Sequence, residues 1–125
     1  MKKHIKKHIK SQQFAFTGLA TAFKSEPNFK LELIISAILI FLGIYLHFEL
    51  IEWFLLIHAI SQVLITELLN TGLEYLADGF TKEFNPHIKK AKDITAGAVL
   101  LSAIYAIFIA ILILIYHMPK LGFCS

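Results

Sequence analysis

The chain has 125 residues, a net charge of +3 and no arginine, so that every one of its twelve strong bases is lysine. Its 57% hydrophobic content and mean hydropathy of +0.67 exclude an ordinary soluble domain and leave a membrane protein of at most one domain. The lone Cys124 excludes an intrachain disulfide, and nucleic acid is not an expected partner.

In chain order, residues 1–29 read as an amphipathic surface segment. Lys2, Lys3, Lys6, Lys7 and Lys10 accompany Ile5 and Ile9 four apart, and Phe16, Leu19, Ala20 and Phe23 continue the apolar stripe. Such a helix suits an anionic membrane surface; a disordered basic tail up to Ser11 is the plainer reading. Pro27 is expected to end this helix or to begin the next, because a residue before proline, here Glu26, is disfavoured from the α region. Residues 31–50 form the first expected span and residues 53–76 the second, with an acidic turn, His47 to Trp53, between them. Residues 77–93 read as a polar loop and residues 94–116 as the third span, which carries no ionisable side chain besides tyrosine hydroxyls.

Lysine placement orients the chain. Apart from Lys120, the lysines precede the first span or lie between the second and third. The positive-inside rule then puts the N-terminus and the 77–93 loop in the cytoplasm and the C-terminus outside a bacterial cytoplasmic (inner) membrane crossed three times. No small-residue cleavage site follows Met1, so the N-terminus is expected to be mature. Ala98, Ser102, Ala106 and Ala110 recur every four residues and suggest a ridge for close helix packing. Three thin helices with ionisable groups to hide are expected to oligomerise.

The chemistry centres on the second span. Glu67, Asn70, Thr71, Glu74 and Asp78 fall on one helical stripe. Each carboxylate at membrane depth costs roughly 2.5–3.5 kcal/mol on insertion scales, so a pair implies a use. Glu26, Glu74, Asp78 and Asp93 with Lys92 would gather at one interface. Carboxylates beside lysine suit Mg²⁺ and a phosphate-rich ligand, and phosphoryl transfer needs mainly positioning and charge stabilisation. Glu67 lies deeper, where apolar surroundings resist ionisation and favour a general base for a lipid hydroxyl. The bland alternative is that Glu67, Asn70 and Glu74 are hydrogen-bonding glue between helices. His58 reads as a packed or interfacial histidine, Ser61 and Gln62 as bonding across helices, and Glu49 and Glu52 as a solvated turn on the far side.

Four stretches carry a resemblance to a known family. They are Ala15 to Gly18 running on to Ala22–Asn28, then Glu52-Trp53, then Glu67 to Asp78, then Ala91 to Val99. Over roughly Phe14 to Tyr116 the chain resembles the prokaryotic diacylglycerol kinases, a family that includes undecaprenol kinases. The resemblance implies an all-α membrane protein with an N-terminal amphipathic surface helix and three transmembrane helices, assembled as a homotrimer. It implies transfer of the γ-phosphate of ATP to a lipid hydroxyl: that of diacylglycerol, giving phosphatidic acid, or alternatively that of undecaprenol. Residue by residue, Glu67 looks like the general base, and Glu26 and Glu74 like the Mg²⁺ and ATP ligands. Lys92 and Asp93 look like nucleotide contacts supported by Asn70 and Asp78. Glu83 and Asn85 fall where the family's loop nears the nucleotide, and Glu32 matches an acidic position of some relatives. Asn70-Thr71 and Ala96 to Val99 look more like the undecaprenol type. Gly72 stands where alanine is commoner, which should loosen the helix by up to about 1 kcal/mol. From another class, a non-enzymatic transporter or assembly subunit would use the same acidic stripe as an ion path. The bare third span argues against that path.

Overall fold

The computed structural model describes residues 1–122; Cys124 lies outside them. Four helices follow in order: α1 (Lys2–Ser25), α2 (Pro27–Tyr45), α3 (Leu50–Phe80) and α4 (Pro86–His117), with a closing 3₁₀ turn at Met118–Leu121. α2, α3 and the last helix are each long and apolar enough to cross a membrane, so the chain is an all-helical membrane protein.

Each break between helices has a local cause. Glu26 is extended, with φ −105° and ψ 108°, and Pro27 occupies the first turn of α2. Proline both ends α1 and begins α2, because its ring excludes a helical residue before it and suits a helix start. α2 stops at Tyr45 through a Schellman-type end: Phe48 N–H donates to Gly43 C=O at 2.9 Å and His47 N–H to Ile44 C=O at 3.2 Å, with His47 left-handed at φ 55°. α4 begins where Asn85 Oδ1 accepts from the N–H groups of His87 and Ile88 at 2.9 and 3.3 Å, and Pro86 follows the cap.

The helices differ from the expected spans. α2 runs 27–45 rather than 31–50, α3 begins at 50 and ends at 80 rather than at 53 and 76, and the connection expected over 77–93 contracts to residues 81–85. At about 1.5 Å per residue, the 31 residues of α3 span roughly 46 Å against about 30 Å of hydrocarbon. Polar residues such as Asp78, Lys92 and Asp93 therefore sit on helical turns that project past the apolar layer. A hydropathy boundary marks where lipid ends, and it does not mark where hydrogen-bonded helix ends.

α3 and α4 pack antiparallel around Leu56, Ala59, Ile109 and Ile113. The small-residue ridge of α4 is used in part. Ser102 is buried against α3 and its Oγ accepts from Thr66 Oγ1 at 2.8 Å, and Ala106 packs on the core, whereas Ala98 and Ala110 remain exposed. α2 leans on α3 and leaves an apolar groove of about 390 Å³ beside α4, with Glu32 at one end and His117 at the other.

The far end of the bundle corrects the sequence reading. Glu52 lies in no solvated turn: it is 0% exposed. One carboxylate oxygen meets His117 Nδ1 at 2.7 Å, and the other accepts from Glu49 N–H at 2.7 Å, with Lys120 Nζ at 3.5 Å. Lys120 also pairs with exposed Glu49 at 2.9 Å, whose Oε2 accepts from Tyr116 O–H at 3.1 Å. Those two hydrogen bonds hold the Glu49 carboxyl below its ordinary range. Trp53, rather than standing only at the interface, packs with Phe48 against Gly43, where a Cβ would approach both rings to 3.0 Å. Charge is thus present at both ends of the bundle.

Candidate active site at the acidic end of α3

The acidic stripe of α3 is arranged as its spacing requires. Glu67 is 4% exposed and Thr71 is buried, Asn70 and Glu74 are half-buried and Asp78 is exposed. The stripe therefore climbs from the apolar interior to the helix end within three turns. Asn70 Nδ2 donates to Glu74 Oε1 at 3.1 Å, fixing that carboxylate, while Asn70 Oδ1 is buried without a partner among the described residues.

The break between α1 and α2 brings in a second source of charge. Glu26 occupies the extended residue between the helices and accepts from Ser25 Oγ at 3.3 Å. Glu74 and Glu26 are the charges that act on Glu67, and Glu67 is the charge that acts on Glu32. Four carboxylates from the α1–α2 hinge, α2 and α3 therefore share one region. Glu32 also lines the groove beside α4, and its buried Oε2 has no partner among the described residues. The site thus opens directly onto an apolar channel.

α4 contributes one cation to this region. Lys92 Nζ donates to Asp78 Oδ1 at 2.6 Å and lies in the field of Glu74. Asp93 points elsewhere and pairs with Lys89 at 2.6 Å, one turn back on an exposed face. Consecutive residues on a helix diverge by about 100°, which separates two side chains that adjacency in the sequence had grouped. Glu83 lies in the 81–85 connection, where its N–H donates to Thr81 Oγ1 at 3.1 Å. Asn85 has its Oδ1 committed to the α4 cap. Neither side chain touches the carboxylate group among the described residues.

The donors suit a hard cation. Glu26, Glu74 and Asn70 Oδ1 are all oxygen donors, and Mg²⁺ takes one or two carboxylates when phosphate and water oxygens complete its shell. Among the described residues no three His, Cys, Asp or Glu side chains form a self-sufficient metal site. Glu26, Glu74 and Asn70 Oδ1 would fit a hard cation whose remaining ligands are water or phosphate oxygens.

What fold and site define together is a small three-span membrane protein with a carboxylate cluster at one end, half in and half out of the apolar layer, beside a groove of lipid-tail character. Comparison with known proteins makes this specific. Residues 13–114 match the family described as prokaryotic diacylglycerol kinase, and the chain belongs to that family. It is 31% identical to an undecaprenol kinase of Bacillus subtilis over 117 residues, covering 94% of this chain and 93% of the relative. It is 34% identical to a diacylglycerol kinase of Helicobacter pylori strain J99 over 107 residues, covering 86% and 84%. Against a diacylglycerol kinase of Escherichia coli K12 the identity is 28% over 109 residues, covering 87% and 89%.

Proposed function

We propose that this protein is an ATP-dependent lipid kinase that phosphorylates the hydroxyl of a membrane lipid. The observation that carries the reading is the burial of Glu67, 4% exposed, one and two turns below Asn70 and Glu74 and beside the Glu32 end of the apolar groove. A lipid whose tails lie in that groove presents its hydroxyl at the depth of Glu67. There the carboxylate takes the hydroxyl proton as the lipid oxygen bonds to the γ-phosphorus of ATP. The bond from that phosphorus to the β–γ bridging oxygen breaks, and ADP leaves. Glu26 and Glu74 would hold Mg²⁺, which supplies neutralisation of phosphate charge when bound. Lys92 adds a point charge for phosphate, oriented by Asp78. Glu32 and Asn70 meet the lipid headgroup, and Glu83 and Asn85, in the connection that leads into α4, flank the nucleotide.

Diacylglycerol is the proposed acceptor, with phosphatidic acid the product. A second reading, undecaprenol, is favoured by the relative from Bacillus subtilis, which covers more of the chain than the other two. The groove accepts an apolar tail of either kind. We place the protein in the bacterial cytoplasmic membrane, N-terminus and site inside and C-terminus outside, on the lysine distribution, and in a homotrimer, which the small core of the single chain supports.

The test is direct. Purified protein with Mg²⁺ and γ-labelled ATP is given diacylglycerol or undecaprenol in separate micelles, and labelled lipid is counted. Label on one lipid identifies the acceptor, and label on both shows a permissive groove. No label from folded protein overturns the kinase reading and favours a non-enzymatic role. Glu67→Gln is expected to abolish labelling and leave the fold intact; if it keeps most of the activity, Glu67 is not the base.

A further inference from the structure

The packed core joins only the outer half of the α3–α4 pair. Its residues reach Ile60 on α3 and begin at Tyr105 on α4. From Ile60 to Asp78, where Lys92 Nζ donates at 2.6 Å, α3 runs on for about 27 Å. Among the described residues, one hydrogen bond crosses between the two helices inside that interval. It runs from Thr66 Oγ1 to Ser102 Oγ at 2.8 Å.

The direction of this bond follows from its neighbours. Ser102 Oγ lies 2.7 Å from the Val99 carbonyl, which accepts the serine proton. A hydroxyl has one proton and two lone pairs, so Ser102 Oγ is left to accept from Thr66. Thr66 Oγ1 also lies 2.9 and 3.0 Å from the Val63 and Gln62 carbonyls, where a helical threonine ordinarily places its proton. Here the proton is shared across the seam as well. Ser102 is 4% exposed and Thr66 is half-buried. Thr66 stands about 20 Å along α3 from Trp53, within an apolar layer about 30 Å thick, so water does not compete for the bond.

Two rods joined at one place can pivot, and a second contact removes the pivot. The outer halves are held by the core and by Glu52 with His117 at 2.7 Å. Thr66 precedes Glu67 directly and lies about 18 Å along α3 from Asp78, while Ser102 lies about 15 Å along α4 from Lys92. The bond therefore sits at the depth of the buried carboxylate, between the core and the one cation that α4 brings to the site. We infer that Thr66 and Ser102 are positioning residues for phosphoryl transfer, their hydrogen bond holding the inner halves of α3 and α4 so that Lys92 meets Asp78. The catalytic part of this inference rests on the kinase reading above; the helix alignment does not.

The test reads the alignment without turnover. A carbodiimide joins a carboxylate to an amine only where the two touch, so in the full chain in micelles it should form an amide between Asp78 and Lys92. Lys89 and Asp93, 2.6 Å apart on one exposed face of α4, react independently of α3 and serve as the internal reference. The ratio of the two cross-linked peptides is measured by mass spectrometry. Thr66→Val and Ser102→Ala are each expected to lower the Asp78–Lys92 ratio about threefold or more, the loss of one interhelical hydrogen bond in a membrane being worth about 3- to 20-fold. Thr66→Ser should restore it. In the labelled-lipid assay the same two variants should raise the KM for ATP several-fold and leave the KM for lipid unchanged, and Trp53 emission, which reports the outer half, should not move. An unchanged cross-link ratio in both variants overturns the alignment role. A lowered ratio with an unaltered KM for ATP overturns the positioning role and leaves the bond purely structural. Wild-type protein that labels no lipid overturns the kinase reading and the positioning role with it, while the cross-link ratio still decides the alignment.

Discussion

Removing His117 should cost more stability than any exposed substitution in this chain. His117→Ala leaves the Glu52 carboxylate, 0% exposed, without the partner that meets it at 2.7 Å. Breaking a buried pair from one side costs about 3–5 kcal/mol, because the remaining charge stays desolvated. Glu52 keeps the Glu49 N–H at 2.7 Å and a distant Lys120 at 3.5 Å, which places the expected loss near the lower bound, about 3 kcal/mol. Removing both groups is gentler: Glu52→Leu with His117→Leu should recover most of the loss, since apolar replacements of a buried pair are often neutral or better. The assay is reversible unfolding in mixed micelles followed by Trp53 fluorescence. Trp53 is the only tryptophan and packs with Phe48, whose ring lies 5.3 Å from that of His117. The pair stands about 22 Å along α3 from Glu67, so kcat for lipid phosphorylation, measured where all variants are folded, should be unchanged, and any change should fall on the KM for lipid, since His117 lines the far end of the groove. A cost below about 1 kcal/mol for His117→Ala, or a double variant no more stable than the single, would refute the claim that this end is clasped by a buried carboxylate–imidazole contact.

Three further outcomes are expected. Gly43→Ala should destabilise by about 1–3 kcal/mol and shift Trp53 emission, since its Cβ would meet the Phe48 and Trp53 rings at 3.0 Å; unfolding midpoints equal to wild type would contradict it. Asp78→Asn should change stability by less than about 1 kcal/mol, because the Lys92 and Asp78 side chains are 35% and 67% exposed. It should nevertheless lower lipid phosphorylation several-fold, mainly through a raised KM for ATP, and unaltered kinetics would remove Lys92 from the proposed phosphate contacts. The Glu49 carboxyl, held low by its hydrogen bonds from Lys120 and Tyr116, favours the folded state when charged. Its contribution is present above the unfolded glutamate pKa of about 4.3 and is lost as pH falls through the lower folded value. Melting temperatures of wild type and Glu49→Gln should therefore converge on acidification from pH 6 to pH 3, and a gap constant over that range would exclude the pairing.

Much of the architecture was legible because it is written in local periodicity. Lipid imposes long apolar runs, and three of them mark α2, α3 and α4 without reference to one another. Helical spacing alone puts Glu67, Asn70, Glu74 and Asp78 on one stripe, and Pro27 alone breaks the chain between α1 and α2. Three facts required the packed structure: the burial of Glu52, the choice by Lys92 of Asp78 fourteen residues back rather than Asp93 beside it, and the groove that begins at Glu32. Each depends on which helices are neighbours and how they are rotated and slid against one another. Burial of a charge such as Glu52 is decided by His117, 65 residues away, and no periodicity of the α2–α3 turn contains it. Where the helices form, and which face of each is polar, follows from a residue's nearest neighbours along the chain. Which polar faces meet depends on packing, because hydrogen bonds and ion pairs reach about 3 Å and an error of one residue in register removes them.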